Sequence, residues 1–247
     1  RLGLRLPHHS VSEWEDILEL FLSRIGSELR YITIPKVMSS ADLASVIQRL
    51  EATERKNGIQ DAIPLHVLVE TYDCLADLDA IAASERVECL DFGIMDFISE
   101  HLGGIPADCM HSPGQFTHAL IRDAKTQIAK AAFRHGCVAS HNVTTAYNDP
   151  ELTYADALQA NSEFGFSRMW SIHPVPIEPS LRAMQPDFSN LEHSQDIVVS
   201  GADSSWQPVS FDNTLHDRAS YRYHWQLCKR AHAAGQPLRK DFLKRFF

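Results

Sequence analysis

The sequence predicts an α/β fold with a parallel β-sheet, and three observations carry this prediction. Short apolar, strand-like runs alternate with longer segments whose apolar residues recur at helical spacing, which is the pattern of βαβ units. Six strand-like runs follow one another in this way up to Ile172. The composition of the 247 residues, 44% apolar and 22% charged, is that of a folded globular protein and not of a disordered one.

The strand-like runs are short and contain few polar residues. Leu65–Val69 has the largely continuous apolar character expected of a strand that is buried on both faces of a sheet. The full set is Leu2–Leu6, Tyr31–Ile34, Leu65–Val69, Glu88–Phe92, Cys137–Val143 and Met169–Ile172.

Segments with helical periodicity separate the strands. Trp14–Ile25 begins within an S-x-x-E spacing, from Ser12 to Glu15, that is typical of a capping box. The next helix is capped by Ser39 or Ser40. Beyond Glu178 the sequence predicts helices and loops and no clear strand. The helices predicted before that point are Leu78–Ala83, Phe116–His135 and Tyr154–Glu163.

Two parallel architectures fit this alternation, an open doubly wound sheet and a (β/α)8 TIM barrel. No glycine-rich phosphate-binding motif follows the first strand, which weakens the dinucleotide-binding version. The chain begins with Arg1 and not with methionine. We therefore expect a (β/α)8 barrel over residues 1–185 that lacks its first one or two βα units. Residues 186–247 would form a C-terminal helical extension, as a lid or as an oligomer interface.

The charge and the cysteine content limit the classes of partner and the cellular location that the sequence predicts. The formal net charge of −9 argues against nucleic acid, whose phosphates call for a basic face. No apolar run approaches the ~20 residues of a membrane span, so we expect no membrane partner. The five cysteines are scattered without a CxxC pair, which indicates reduced thiols and a cytoplasmic location.

Polar residues follow the strand-like runs, where a barrel places its active site. Glu70 and Asp96 follow consecutive strands, which lie roughly 5 Å apart in a sheet. Two carboxylates at that distance repel each other unless a proton or a cation lies between them, and Mg2+ prefers such ligands. The alternative is that each carboxylate caps a helix or pairs with a nearby arginine. His141, also at a strand end, is one candidate for a catalytic base; a metal-bound hydroxide is another.

Five short motifs, in order and at matching spacing, resemble those of the citrate lyase β-subunit-like proteins of the HpcH/HpaI aldolase and citrate lyase family. Any one of them alone is a weak signal, whereas the series from about Arg5 to Pro174 is a specific one. The motifs are Ile34-Pro35-Lys36-Val37 with Ser40-Ala41-Asp42, Val67–Thr71, Ile81–Ser84, Asp91–Asp96, and Gly165-Phe166 with Ser171–Pro174.

The resemblance implies a Mg2+-dependent barrel that cleaves or forms a carbon–carbon bond through a metal-stabilised enolate. Its substrates would be small hydroxy- or oxo-carboxylates, free or as CoA thioesters. The family's metal carboxylates fall on Glu70 and Asp96, and its substrate-binding arginine falls on Arg5. Lys36 and the backbone of Gly93 are the further expected substrate contacts, because glycine lets a ligand approach the main chain closely.

Several positions depart from the family pattern, so the sequence is expected to represent a divergent branch. Met38 replaces a glutamate, Asp73 stands where an arginine is usual, and His141 aligns with an aspartate. In addition, no segment of residues 1–247 matches the family's acidic N-terminal strand. These departures put the use of CoA thioesters in doubt and leave the metal pair intact.

Two other functions remain open from the sequence. One is a non-catalytic barrel that acts as a subunit or binding module, and the other is a metal-dependent thioester hydrolase on the same scaffold. The aromatic C-terminal segment should bury against its own barrel or a neighbouring subunit, and the family resemblance favours a homo-oligomer, a trimer or a hexamer.

Overall fold

Six parallel strands form one sheet in strict chain order in the computed structural model, which describes residues 2–247. Each strand pairs with the next one along the chain, so the order never reverses as it does in a doubly wound sheet. The strands are β1 (Leu2–Arg5), β2 (Leu29–Ile34), β3 (Leu65–Val69), β4 (Val87–Phe92), β5 (Val138–His141) and β6 (Arg168–Met169).

The sheet curls into half of a barrel. Arg5 of β1 and Trp170, directly after β6, line the same cavity although four strands separate β1 from β6 in the sheet. The prediction of a barrel-type α/β fold is therefore confirmed, with six strands in the parallel sheet.

The helices connect the strands and pack on the outside of the curl. Ile34, Val69 and Phe92 point to that side and are fully buried in the main hydrophobic core. The helices of this part are α1 (Trp14–Ile25), α2 (Ser40–Lys56), α3 (Tyr72–Ala76), α4 (Leu78–Ala82), α5 (Ile94–Glu100), α6 (Gly114–Thr117), α7 (Ala119–His135), α8 (Pro150–Phe164) and α9 (Ile177–Ala183).

The chain divides into two compact units, Arg1–Gln185 and Pro186–Phe247. The second unit has its own small core, in which Val198, Cys228 and Phe242 are fully buried. Its elements are α10 (Leu191–Asp203), the antiparallel pair β7 (Val209–Phe211) and β8 (Thr214–His216), α11 (Arg218–Ala233) and α12 (Lys240–Phe246).

Several local predictions need correction. The hairpin β7–β8 was missed because its strands are only three residues long, too short for a period-2 pattern. The helix predicted from Phe116 to His135 is interrupted at His118, which has extended backbone angles. The strand predicted at Met169–Ile172 is shorter and begins earlier, because only Arg168 and Met169 pair with β5.

The capping prediction for α1 is wrong, whereas that for α2 is confirmed. The hydroxyl of Ser12 donates to the neighbouring Glu13 carboxylate and no side chain caps α1. The hydroxyl of Ser39 accepts a hydrogen bond from the backbone N–H of Asp42, at 3.1 Å. In residues 2–247 no helix combines the length and the apolar character that a membrane crossing requires.

Candidate active site

The carboxyl ends of β2, β3 and β4 bring together three predicted site residues. Glu70 directly follows β3, Lys36 lies shortly after β2, and Asp96 lies in the first turn of α5, which follows β4. The backbone N–H of Lys36 donates to Glu70 Oε1 at 2.7 Å, and its Nζ donates to Asp96 Oδ1 at 2.8 Å. A single residue therefore contacts both predicted metal ligands.

Lys36 makes these contacts from an uncommon backbone conformation. Its φ of +53° lies in the left-handed region, which costs a residue with a Cβ about 1–2 kcal/mol. Strained backbone of this kind persists where the surrounding structure holds it, and it is often found at functional sites. Here both the main chain and the side chain of Lys36 are tied to carboxylates, which supplies that hold.

Gly93 is required at this edge for the space that it leaves. A Cβ at this position would lie 2.6 Å from Glu70 Cβ and 2.8 Å from Glu70 Oε2, closer than real contacts allow. The N–H of Gly93 donates to the carbonyl of Val69 at 3.0 Å. The sheet therefore already uses this N–H, and Gly93 makes room for Glu70. That backbone groups near Gly93 contact a substrate stays a prediction.

The two carboxylates differ in their exposure to water. Glu70 is only 3% exposed, and burial raises its pKa to about 7, an effect that the nearby Asp96 charge reinforces and the N–H of Lys36 opposes. The side chains of Asp96 and Lys36 are each 47% exposed. The hydrogen bond to Asp96 raises the pKa of Lys36, so its ammonium stays charged at neutral pH. The site thus joins a buried carboxylate to a solvent-accessible ion pair.

The chemistry of this group fits a hard divalent cation. Glu70 and Asp96 offer oxygen ligands, and Mg2+ takes one or two carboxylates while substrate and water fill its remaining positions. Glu70 is buried with a raised pKa, so an added positive charge would stabilise its ionised form. The site already holds one cationic group, the Lys36 ammonium, on Asp96.

Arg5 ends β1 and lines a cavity of about 530 Å³ on the concave side of the sheet. Its side chain is exposed, and no carboxylate of residues 2–247 lies within salt-bridge distance of it. Its charge is also among those that lower the pKa of Glu70. The guanidinium is therefore free to bind an anionic group near the carboxylates.

Polar side chains that are not among the predicted site residues share this cavity. They lie at alternate strand positions, which point to one face of the sheet. That period-2 spacing within the strands is the sequence signal that identifies them, whereas position at a strand end does not. The polar lining includes Tyr31, Thr33, His66, Asp91, Ser140 and Arg168.

A second group of potential metal ligands lies on the same side of β3 and β4. His66, Cys89 and Asp91 are buried, and one ligand atom of each lies within 4.8 Å of the others. Arg168 Nη1 is 3.2 Å from His66 Nε2, and because a guanidinium only donates, Nε2 accepts. The ring proton then resides on Nδ1, 3.4 Å from Asp91 Oδ2. Both ring nitrogens are engaged, so this group is a hydrogen-bonded network and not a ready metal site.

His141 lies on the opposite face of the sheet from the cavity. Its neighbour Ser140 lines the cavity, whereas His141 is fully buried between the rings of Phe116 and Phe166, with centroids 5.5 and 5.8 Å away. Burial and the nearby charge of Lys125 hold its pKa well below the usual histidine range. The prediction that His141 lies at the catalytic mouth is wrong, because alternate residues of a strand face opposite sides.

Comparison with known proteins identifies the family of this chain. The family model described as HpcH/HpaI aldolase/citrate lyase matches residues 1–174. The chain belongs to this family. The crystal structure of a citrate lyase from Burkholderia xenovorans is 40% identical to it, with a TM-score of 0.93, over all of this chain and 77% of that one.

Two more distant similarities extend the comparison. L-malyl-CoA/β-methylmalyl-CoA lyase of Cereibacter sphaeroides is 24% identical over 208 residues, which cover 80% of this chain and 65% of the relative. The chain thus spans about two-thirds of the length of the curated relatives that it matches. The protein CitE from Mycobacterium tuberculosis, solved with magnesium, acetoacetate and coenzyme A, has a TM-score of 0.67 at 21% identity over 93% of this chain and 78% of that one, which shows a shared fold.

Proposed function

We propose that this protein is a Mg2+-dependent carbon–carbon lyase or aldolase. Its substrate would be a small hydroxy- or oxo-carboxylate, taken as the free acid or as its CoA thioester. The observation that carries the proposal is the buried Glu70 carboxylate, which shares the Lys36 contact with Asp96 at the carboxyl edge of the sheet. Burying a carboxylate is costly, and a cation site explains why one is kept here.

The chain's own residues have distinct roles in this proposal. Glu70 and Asp96 would hold the cation, which when bound supplies the positive charge that stabilises a developing enolate. Arg5 would bind a substrate carboxylate, because its planar fork matches two carboxylate oxygens. Lys36 is a further proposed substrate contact beside Asp96. Gly93 would keep Glu70 in place by leaving room for its side chain.

The substrate class rests on two supports. A cavity of about 530 Å³ is within the size range of small-molecule sites; Arg5 lines it, whereas Glu70, Lys36 and Asp96 do not. The charge of Arg5 reaches Glu70, whose pKa it lowers, and would attract an acid. The second support is kinship: a relative is named for cleaving malyl-CoA and β-methylmalyl-CoA, and a protein of the same fold was solved with magnesium, acetoacetate and coenzyme A.

The experiment that tests this function is isothermal titration of Mg2+ into the full-length protein, with and without oxaloacetate or pyruvate. We expect binding that tightens with the 2-oxo acid and is lost in Glu70→Gln and Asp96→Asn. The matching activity assay measures cleavage of malyl-CoA or citramalyl-CoA through the release of the acyl-CoA product. Binding that neither substitution alters would favour a non-catalytic subunit instead, and release of free CoA without carbon–carbon cleavage would favour a thioester hydrolase.

The assembly and the location of the protein are further proposals. We propose a homo-oligomer, a trimer or a hexamer, in which residues 186–247 act as a lid or contribute to the subunit interface. Light scattering of the full-length protein and of a variant that ends at Gln185 would test the contribution of these residues to the subunit interface. We also propose a cytoplasmic location, in agreement with five cysteines that form no disulfide in the described residues.

A further inference from the structure

Lys36 holds the two candidate metal ligands in different ways. Its backbone N–H binds Glu70, and this contact is fixed because it belongs to the main chain. Its ammonium binds Asp96 through a long side chain that is about half exposed, so this contact can break without unfolding anything around it. The residue therefore combines a permanent contact with an exchangeable one.

The exchangeable contact occupies the same carboxylate that a divalent cation needs. A dication that binds Asp96 beside Glu70 would lie next to the ammonium, and like charges at such distances repel strongly in a partly buried site. Without any cation, the two carboxylates would repel each other instead. The charges of this site are therefore balanced when the two carboxylates have one positive group beside them at a time, either the ammonium or the dication.

We propose that Lys36 is an internal counter-ion that exchanges with the divalent cation. In the metal-free protein its ammonium neutralises Asp96 and keeps the carboxylates together. When the cation binds, the ammonium leaves Asp96 and becomes available to a substrate carboxylate, while the backbone N–H continues to orient Glu70. The inference rests on the proposed function, because it assumes that Glu70 and Asp96 bind a divalent cation.

The test measures Mg2+ affinity by titration calorimetry and the melting temperature with and without Mg2+. The variants are Lys36→Met, which removes the charge, Lys36→Arg, which keeps it, and Lys130→Met, which removes an exposed lysine on α7 as the control. Methionine retains both the backbone N–H and a Cβ at the left-handed φ, so the main-chain contact and its strain are unchanged.

We expect Lys36→Met to bind Mg2+ about two- to fivefold more tightly, which is the range that a partly exposed ion pair supports. Its metal-free melting temperature should fall, and Mg2+ should raise that temperature more than in the parent protein. Lys36→Arg and Lys130→Met should bind Mg2+ like the parent. In the Asp96→Asn background, Lys36→Met should no longer lower the melting temperature, since the ion pair is already gone.

Unchanged or weaker Mg2+ binding by Lys36→Met would overturn the proposal, because a competing charge cannot assist the metal. Should Lys36→Met fail to fold, Lys36→Gln serves as the uncharged variant. The failure of the proposed function has a different signature, namely Mg2+ binding that is absent from the parent protein or unaffected by Glu70→Gln. Binding that Glu70→Gln abolishes and Lys36→Met does not tighten contradicts only the exchange.

Discussion

Two lysines of the α/β unit lie near aspartates, and their surroundings give them opposite properties. The Lys36 ammonium is about half exposed, hydrogen-bonds Asp96 and has a raised pKa. The Lys125 ammonium is fully buried, lies 3.9 Å from the centroid of the Phe116 ring, and has its pKa lowered to about 7 by burial. The same residue type is thus stabilised as a charge in one place and penalised in the other.

The partners of each lysine explain the difference. Asp156, the carboxylate near Lys125, is buried and accepts hydrogen bonds from Ser112 and Gln115, so its oxygens are already used. Lys125 itself donates only to Gln115 Oε1, at 3.4 Å, among the described residues. Such a network can brace the loop before α7 but cannot exchange partners with a ligand. The ion pair of Lys36 and Asp96 stays in contact with solvent, so a ligand can reach it.

The largest effect is expected from Glu70 and Asp96, the two carboxylates that Lys36 contacts. If the proposed function holds, Glu70→Gln and Asp96→Asn should each lower lyase turnover by about 10³-fold or more, because each would remove a proposed metal ligand and its charge. Steady-state cleavage of malyl-CoA or citramalyl-CoA, at a fixed Mg2+ concentration that saturates the parent protein, measures this turnover. Glu85→Gln, an exposed glutamate outside the site, is the control. Loss of less than tenfold in both variants would contradict the assigned role.

A second effect is expected from Lys125→Met, on stability. Between about pH 7 and 10 the unfolded chain protonates this lysine and the folded chain does not, so this lysine makes the parent protein more stable as the pH rises. The contribution is on the order of 4 kcal/mol across that window. Urea unfolding at several pH values should show this rise in the parent and in Lys130→Met and a much flatter profile in Lys125→Met. Equal slopes in all three would show that Lys125 is not buried as described.

A smaller effect is expected from Gly93→Ala. The added methyl would displace Glu70 and destabilise the protein by about 1–3 kcal/mol, the usual cost of overpacking. Mg2+ affinity should fall by roughly tenfold, since a displaced ligand costs about as much as a lost supporting contact. Calorimetry and thermal unfolding measure both quantities. Unchanged Mg2+ affinity in a Gly93→Ala protein that is destabilised would refute this route through Glu70.

The smallest effect is expected from His141→Phe. Neither ring nitrogen of His141 has a hydrogen-bond partner within the described chain, so an apolar ring of similar shape removes two buried polar atoms. Stability should stay equal or rise by about 1 kcal/mol, and turnover should not change. Ser140→Ala, on the cavity-facing side, is the neighbouring comparison. A large loss of activity in His141→Phe alone would restore histidine 141 as a candidate base.

Much of this organisation could be predicted from the chain alone. Apolar runs alternating with helical periodicity predicted the strands, and five motifs in order predicted the family, which the comparisons confirm. The placement of Glu70 and Asp96 at one edge follows from their positions just after consecutive parallel strands. These are local properties, or they depend only on the order of neighbouring strands, and such properties are encoded within short stretches of sequence.

Other properties required the folded chain. The strand pattern left the side of the sheet for His141 undecided, because a shift of one residue in the strand reverses the face of every side chain. No spacing revealed that Lys36 bridges two carboxylates that lie 34 and 60 positions further along the chain. The sequence by itself determined which chemical groups are present and in what order the strands carry them. Tertiary packing alone decided which groups meet, which are buried and which keep their charge, because contact, burial and charge depend on neighbours that are distant in the chain.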